Sequence, residues 1–359
     1  MVSVAHLIYG LGLGGLEQLV VQLAARSRSR DIDASIIALG HDGPVRQVAE
    51  EQGVPVTLLP VDGMSVSALL AIRGALNRAN ASVLHAHDLG PWLNAVAVRA
   101  LRPSTRVLAT FHEQRKPTGN KRKAASVAAR LSEALVACGD QVRDEILGWA
   151  PPGTHVPVIP NGVPFLEGNR EAARAELQIP EGAVAIGYLG GLREIKGPDK
   201  LLQAFLDQFT SDPYVHLYLV GAGPMEPKLR ELAKGHSNVH FTGLQLNAAR
   251  LLPAFDLYAQ ASLSEGRSLS MLEAMAAGLP TVAHDLQPVR EIHGHGETAL
   301  LAPLGDRGAL GAALRQLATD PALRTKLGAA AKKRALQHSI EPMVDAYAVL
   351  YHQLSAKAA

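Results

Sequence analysis

The chain has 359 residues, 47% of them apolar and only 4% aromatic, with a formal net charge of +2. That length exceeds one ordinary core and fits two α/β domains built mainly from Ala, Leu and Val, while near-neutrality excludes the broad basic surface of a dedicated nucleic-acid binder. The single cysteine, Cys138, excludes an intramolecular disulfide framework and fits a reducing compartment.

The first residues, MVSVAHLIYGLGLGG, lack the basic region and small-residue cleavage site of a signal peptide. No apolar run approaches the ~20 residues that span a bilayer, so the expectation is a cytoplasmic protein. Short apolar runs then alternate with helical patterns. Strands are expected at 4–9, 34–39, 56–59, 82–87, 106–112 and 134–138, with helices at 16–27 and 69–79. Nearly continuous apolar strands separated by helices imply a parallel sheet covered on both faces. After the first strand, Gly10, Gly12 and Gly15 fit G-x-G-x-x-G and open a helix whose amides suit an anion. A nicotinamide site would also want an acid near the end of the second strand, where Asp42 is a loose fit. An anion or sugar site, a dinucleotide site and a tight turn all stay open on the glycines alone.

The segment 151–165, PPGTHVPVIPNGVPF, interrupts this rhythm with five prolines and ends the first unit. Strands resume at 184–190, 215–221, 239–243, 256–262 and 280–284, with helices near 198–209, 225–234, 268–277 and 306–318. Two doubly wound halves follow, 1–160 and 161–339. Ligands of open α/β sheets lie beyond the carboxyl ends of the strands, so two such sheets facing a cleft should carry their motifs just after strands.

GGLREIKG (190–197) sets Arg193 and Lys196 on a glycine-bounded loop leading into a helix. Two cations at a helix start oppose its dipole, which a diphosphate would explain, although solvated surface cations are the ordinary alternative. LVGAGPMEPKL (219–229) reads best as a strand-to-helix turn. In SEGRSLSMLEAMAAGLP (264–280), Glu265 precedes a glycine, and Glu273 lies in an apolar helical pattern. Ser270 and Glu273 also fit a capping box, S-x-x-E, which would make Glu273 structural. With the helix start at 267–270, amides for phosphate and acids for hydroxyls make a nucleotide-sugar site plausible.

The spacing of Glu265 and Glu273, followed by AMAAGLP, resembles the E-x7-E signature of the retaining family 4 glycosyltransferases, which have the GT-B fold of two Rossmann-like doubly wound domains. LGLGGLEQLV is similar to that family's N-terminal glycine loop, VLHAHD (83–88) to its acceptor-side strand, and TFHE (110–113) to the strand end with an active-site histidine. VIPNGV (158–163), GGLREIKG and LLAPLGD (300–306) resemble its interdomain segment, phosphate loop and approach to the final helices.

The resemblance implies roles. Glu273 would hold the ribose hydroxyls, and Glu265 would contact the donor sugar. Lys196 and Arg193 would neutralise the diphosphate, with Gly266, Arg267, Ser268 and Leu269 beside it. Gly14 and Gly15 would approach the phosphates, and His112 would contact the donor sugar. His87, Asp88 and Glu113 would lie on the acceptor side. The final helix (341–354, within 340–359) would cross back to the first domain. Two departures stand out. Gly191 replaces a usual arginine, and Arg267-Ser268 replace an aromatic-glycine pair.

The expected activity is retaining hexosyl transfer, without a metal ion or other cofactor, from a nucleotide-diphosphate sugar, UDP ahead of GDP or ADP. The expected acceptor is a glycan or lipid-linked molecule of polysaccharide biosynthesis. A sugar-nucleotide epimerase and an inactive nucleotide-sugar binding module are the alternatives. The basic stretch 115–130 reads equally as an anionic-membrane contact at the inner face or as a solvated helix start.

Overall fold

The computed structural model describes residues 1–356 except 13, 62, 113–116, 166, 167 and 211. It divides into two compact units: Met1–Gly162 together with the segment from Ile340, and Val163–Ser339. In the first, β1 (Val2–Gly10), β2 (Ile32–His41), β3 (Val56–Leu59), β4 (Val83–His87), β5 (Arg106–Phe111) and β6 (Ala134–Ala137) run in the order β3-β2-β1-β4-β5-β6. In the second, β7 (Val184–Leu189), β8 (Val215–Val220), β9 (Val239–Gly243), β10 (Leu257–Gln260), β11 (Thr281–His284) and β12 (Ala299–Ala302) run in the order β12-β11-β10-β7-β8-β9. Every named pairing is parallel. Both are Rossmann-like sheets whose strand order reverses once, between β1 and β4 and between β7 and β10. Those reversals are where an α/β sheet opens a crevice for ligand.

Strand β12 was not anticipated as a strand. Its four residues, ALLA, are too few to display a period, and it exists through pairing with β11, Thr281 opposite Ala299. The helices Leu89–Val98, Asp140–Leu147 and Pro321–Ala335 were also passed over. The helix Pro321–Ala335 starts where the Asp320 side chain accepts from Leu323 N and proline takes the first helical position.

Alternation along the strands sorts the first unit into two unlike faces. Ala5 and Leu7 of β1 join Leu84 and Ala86 of β4, Ala109 of β5, Trp92 and Phe111 in an apolar core. The opposite face carries His6, paired across the sheet with His85, then His87 beside Thr110. The helix Ile340–Ala356 belongs to this unit and lays two tyrosines on that polar face. Tyr351 Oη is 2.6 Å from His85 Nδ1; Thr110 Oγ1 lies 2.8 Å from both His85 Nε2 and Tyr347 Oη. Burial raises both phenols far above their usual range, so they remain neutral donors. Arg30 meets Glu341 and Asp345 at the helix edge, 2.7 and 2.8 Å away; such exposed pairs contribute little.

In the second unit the helix Pro198–Phe209 buries Leu201, Leu202, Phe205 and Phe209 against β7, β8 and the helix Arg307–Thr319. This fixes the residues just before it at the carboxyl end of the sheet.

Because His85 is wholly buried, Tyr351→Phe leaves one of its ring nitrogens without a partner. We expect a loss of ~1–3 kcal/mol in unfolding free energy, measured by urea denaturation.

Candidate functional site

In the second unit the switch point lies between β7 and β10. Leaving β7, the chain passes Gly190 and Gly191, and the Tyr188 hydroxyl donates to Gly191 O at 3.0 Å. One 3-10 turn, Glu194–Lys196, ends at Gly197 with φ of +60°. A Cβ at Gly197 would stand 1.9 Å from Ala261 O. Both the left-handed conformation and the backbone contact require glycine there. That close approach to the end of β10 brings Lys196 to Glu265.

Lys196 Nζ lies 2.9 Å from Glu265 Oε1 and 2.8 Å from Oε2. Glu265 is 5% exposed, so its charge is compensated by protein rather than water. Its Oε1 also accepts from Gln260 Nε2 and Ser262 Oγ, each at 2.6 Å. Gln260 is held in turn by the Tyr258 hydroxyl, 2.8 Å from its Oε1, and by Ser268 and Ser270 at 3.3 Å. The resemblance named Glu265, Lys196 and Ser268; Tyr258, Gln260 and Ser262 went unnoticed. A glutamine inside the otherwise apolar strand LYAQ was the available signal, since a buried amide needs partners.

The helix Leu269–Ala276 begins at Ser268, whose side chain makes no cap hydrogen bond. Ser270 lies inside the helix and bonds Tyr258 and Gln260 instead, so no capping box forms and Glu273 has no capping role. The first-turn amides, beginning with Leu269, keep their partial positive charge toward the loop containing Gly266. Glu273 is half-buried beside Pro164, Gly168 and Pro253, with Arg250 near it. Among the described residues its carboxylate has no hydrogen-bond or ion-pair partner, and Arg250 is taken by Glu176 at 2.7 Å. Desolvation raises the Glu273 carboxyl to about 7.

Arg193 is exposed, and its side chain has no ion pair or hydrogen bond among the described residues. Arg267 is half-buried and donates from Nη2 to His338 Nδ1 at 2.9 Å. Burial first, then Arg267 and Arg334, lower His338 to about 4.

In the first unit Gly14 is the N-cap of the helix Gly15–Ser27 and offers no side chain to it. A Cβ on Gly14 would lie 2.0 Å from Glu17 Oε2, so that carboxylate rests against the loop. Asp88 adopts φ +65° and ψ 175°, a conformation that costs ~1–3 kcal/mol in a residue with a Cβ. Its Oδ1 accepts from the His112 backbone N–H at 2.8 Å. His112, half-buried at the end of β5, has Nε2 3.1 Å from His87 Nδ1. His87 itself is only 2% exposed; it lies behind His112 rather than on an open surface. Glu113, Arg115 and Lys116 lie outside the described residues. The helix Gly119–Arg130 exposes Lys121, Arg122, Lys123 and Arg130. No described helix is long and apolar enough to cross a membrane.

Nitrogen atoms of His6, His85 and His87 lie within 4.8 Å of one another. Both nitrogens of His85 already face Tyr351 and Thr110, and the His6 and His87 rings stack at 21°. His6 and His87 thus face one another at 3.1 Å, while His85 is bonded to Tyr351 and Thr110.

Residues 183–320 match the family model described as Glycosyl transferases group 1, and residues 13–165 match the one described as Glycosyltransferase Family 4. The chain belongs to glycosyltransferase family 4. Among its relatives, the lipopolysaccharide core biosynthesis glycosyltransferase LpsD of Rhizobium meliloti is 33% identical over 189 residues, 52% of this chain and 54% of LpsD. EpsD of Bacillus subtilis is 26% identical over 324 residues, 84% of this chain and 85% of its own. The chain thus spans about half the length of LpsD, at 54%, and more of EpsD. The Anabaena HepE structure with UDP and glucose aligns with a TM-score of 0.83 at 18% identity, covering 98% of this chain and 99% of HepE. Sucrose-phosphate synthase of Thermosynechococcus elongatus aligns with a TM-score of 0.80 at 20% identity, covering 99% and 100%. This family member has the GT-B fold.

The buried histidines predict acid lability in both units. His6 and His293 fall from an ordinary 6.5 to about 3, and His338 to about 4, chiefly through burial. Below pH 6.5 the unfolded chain binds protons that the folded chain refuses, so stability is complete above 6.5 and declines toward 3–4. Urea midpoints taken at pH 7.5 and pH 5 should fall with acidification; a midpoint that rises would contradict the burial of these rings.

Proposed function

We propose that the chain transfers a hexosyl group, with retention and without a metal ion, from a nucleotide-diphosphate sugar to a glycan or lipid-linked acceptor. A UDP-sugar is favoured, and the setting is polysaccharide or glycoconjugate synthesis in the cytoplasm. The observation that carries this reading is Glu273. A half-buried carboxylate raised to about 7 with no protein partner among the described residues calls for a ligand that donates hydrogen bonds, as paired ribose hydroxyls do. Beside it lies a helix start without a side-chain cap, suited to phosphate. HepE, of the same fold, is described in complex with UDP-glucose.

Lys196 has three N–H donors. Two contacts run to Glu265, leaving one for a diphosphate oxygen. Arg193, exposed, without a partner among the described residues and with its side chain lying beside Gly191, supplies a second charge and compensates for Gly191. Leaving-group charge is then met by fixed cations and amides, which need no reorganisation as the bond breaks. The anomeric C–O bond to the diphosphate breaks and the acceptor oxygen attacks the same face. Its proton passes to the departing phosphate oxygen. Glu265 faces the developing positive charge on the sugar, and His112 contacts a sugar hydroxyl. Asp88 contributes by holding the His112 backbone. The exposed cations of Gly119–Arg130 are read as a contact with anionic lipid at the inner membrane face, at ~1 kcal/mol each.

Lys196→Ala removes a phosphate donor and strands the Glu265 charge. Turnover should fall ~10²–10³-fold, and stability by ~3–5 kcal/mol; wild-type rates in a steady-state transfer assay would remove the diphosphate assignment. Glu273 supplies a pH test. Hydroxyls prefer its ionised form, which grows as pH rises through about 7. UDP-glucose, whose diphosphate does not titrate there, should bind ~10-fold tighter at pH 8 than at pH 6 by calorimetry. Glu273→Gln should be weak and flat across that range.

A further inference from the structure

The chain leaving β10 passes Ala261, Ser262 and Leu263 before it reaches Glu265, and the peptide unit joining Ser262 to Leu263 is held at both ends. Its N–H, on Leu263, donates to Ile195 O at 2.9 Å. Ile195 is the middle residue of the 3-10 turn Glu194–Lys196, which carries Lys196. Its C=O, on Ser262, lies 3.0 Å from His284 Nδ1. His284 is the last residue of β11, and the register, Gln260 opposite Ala283, sets it alongside the exit of β10. Ser262 and His284 are both buried, so the protein itself must supply the donor that this carbonyl needs. The Ser262 hydroxyl accepts from Gln260 Nε2 at 2.7 Å and donates to Glu265 Oε1 at 2.6 Å.

We propose that His284 is a positioning residue which, through the Ser262–Leu263 peptide, holds Glu265 and Lys196 in the arrangement that sugar transfer uses. This rests on the reading of Lys196 and Glu265 as contacts of the diphosphate and the donor sugar, and it adds a residue from a third strand end to them.

A carbonyl oxygen only accepts, so the hydrogen of the His284 contact sits on Nδ1, whatever Nε2 meets. A peptide unit is planar, and turning its C=O away from His284 swings its N–H away from Ile195 as well. The two bonds therefore support each other. On one side the peptide carries the Ser262 hydroxyl and with it Glu265; on the other it holds the turn that carries Lys196. The preceding peptide leaves no slack, because Ala261 O is packed against Gly197, 1.9 Å from where a Cβ would stand. The Lys196–Glu265 pair, 2.8 Å apart, spans the two sides that this one peptide joins. Losing the His284 donor frees the peptide to rotate and the pair to drift. Displacements well below 1 Å matter to groups that must meet charge as it develops.

The test has a substrate-free arm and a kinetic arm, both on the full-length protein. Long-range proton–nitrogen correlation spectra of ¹⁵N-histidine-labelled protein, assigned with His284→Asn, should show a protonated Nδ1 on His284 at pH 8; a bare Nδ1 overturns the proposal. Amide exchange at Leu263 should be about tenfold faster in His284→Leu, the value of one lost hydrogen bond. His284→Asn places an amide N–H where Nδ1–H stood and should restore that protection. In the transfer assay His284→Leu should lower kcat about tenfold with the UDP-glucose KM little changed, since Glu273 and the helix start lie outside this peptide. His284→Asn should recover kcat. Added to Lys196→Ala, His284→Leu should lower kcat no further, because the residue it acts through is already gone. A full tenfold loss in that background, or an unchanged kcat in folded His284→Leu, reduces His284 to a support of the strand and overturns the proposal. If His284→Leu does not fold, His284→Gln, whose amide lies beyond the Ser262 carbonyl, takes its place with the same expected losses. Tautomer and exchange are read without substrate, so failure of UDP-glucose to bind counts against the transferase reading alone.

Discussion

Glu265 is a carboxylate almost withdrawn from water, and the second unit's site depends on what compensates it. A buried charge without a partner costs several kcal/mol, and here the compensation is distributed. Lys196 supplies charge, Gln260 and Ser262 supply neutral donors, and Tyr258, Ser268 and Ser270 hold Gln260 in turn. Such a network fixes the carboxylate in one orientation because every alternative leaves a polar atom unsatisfied. It also engages Ser270, which is therefore unavailable as a cap.

The first unit meets the same difficulty in the opposite way. Its buried titratable groups are imidazoles and phenols, and burial drives all of them to the neutral form. Neutral groups need no counter-charge but must share protons, so geometry dictates which atom carries each one. One unit thus holds a compensated charge and the other a set of neutral hydrogen-bonded side chains.

Membership in that family agrees with the two identical strand orders and with loops placed where those orders reverse. The departures from the family pattern find local explanations. Arg267 is held by His338, and its neighbour Ser268 belongs to the Gln260 network. The exposed Arg193 lays its side chain beside Gly191.

Most of the fold was legible in the chain itself. Eleven strands were expected close to where they lie, because apolar runs between helical patterns are a local signal; only β12, four residues paired to β11, escaped. Glu265, Lys196, Glu273 and His112 stood out through their resemblance to family motifs, not through the residues taken alone. What tertiary structure decided is which atoms meet. The sequence offered Glu273 two fates, cap or ligand, and the position of Ser270 inside the helix removed the first. The resemblance put His87 on the acceptor side, whereas sheet pairing beside Thr110 leaves it buried behind His112. Gln260, Tyr351 and His6 carried no motif at all. Their roles come from contacts between residues as many as 266 positions apart, and a hydrogen bond between distant strands leaves no periodicity in either one. Local order is written in the chain, whereas the partners of buried polar atoms are settled only when the sheets close.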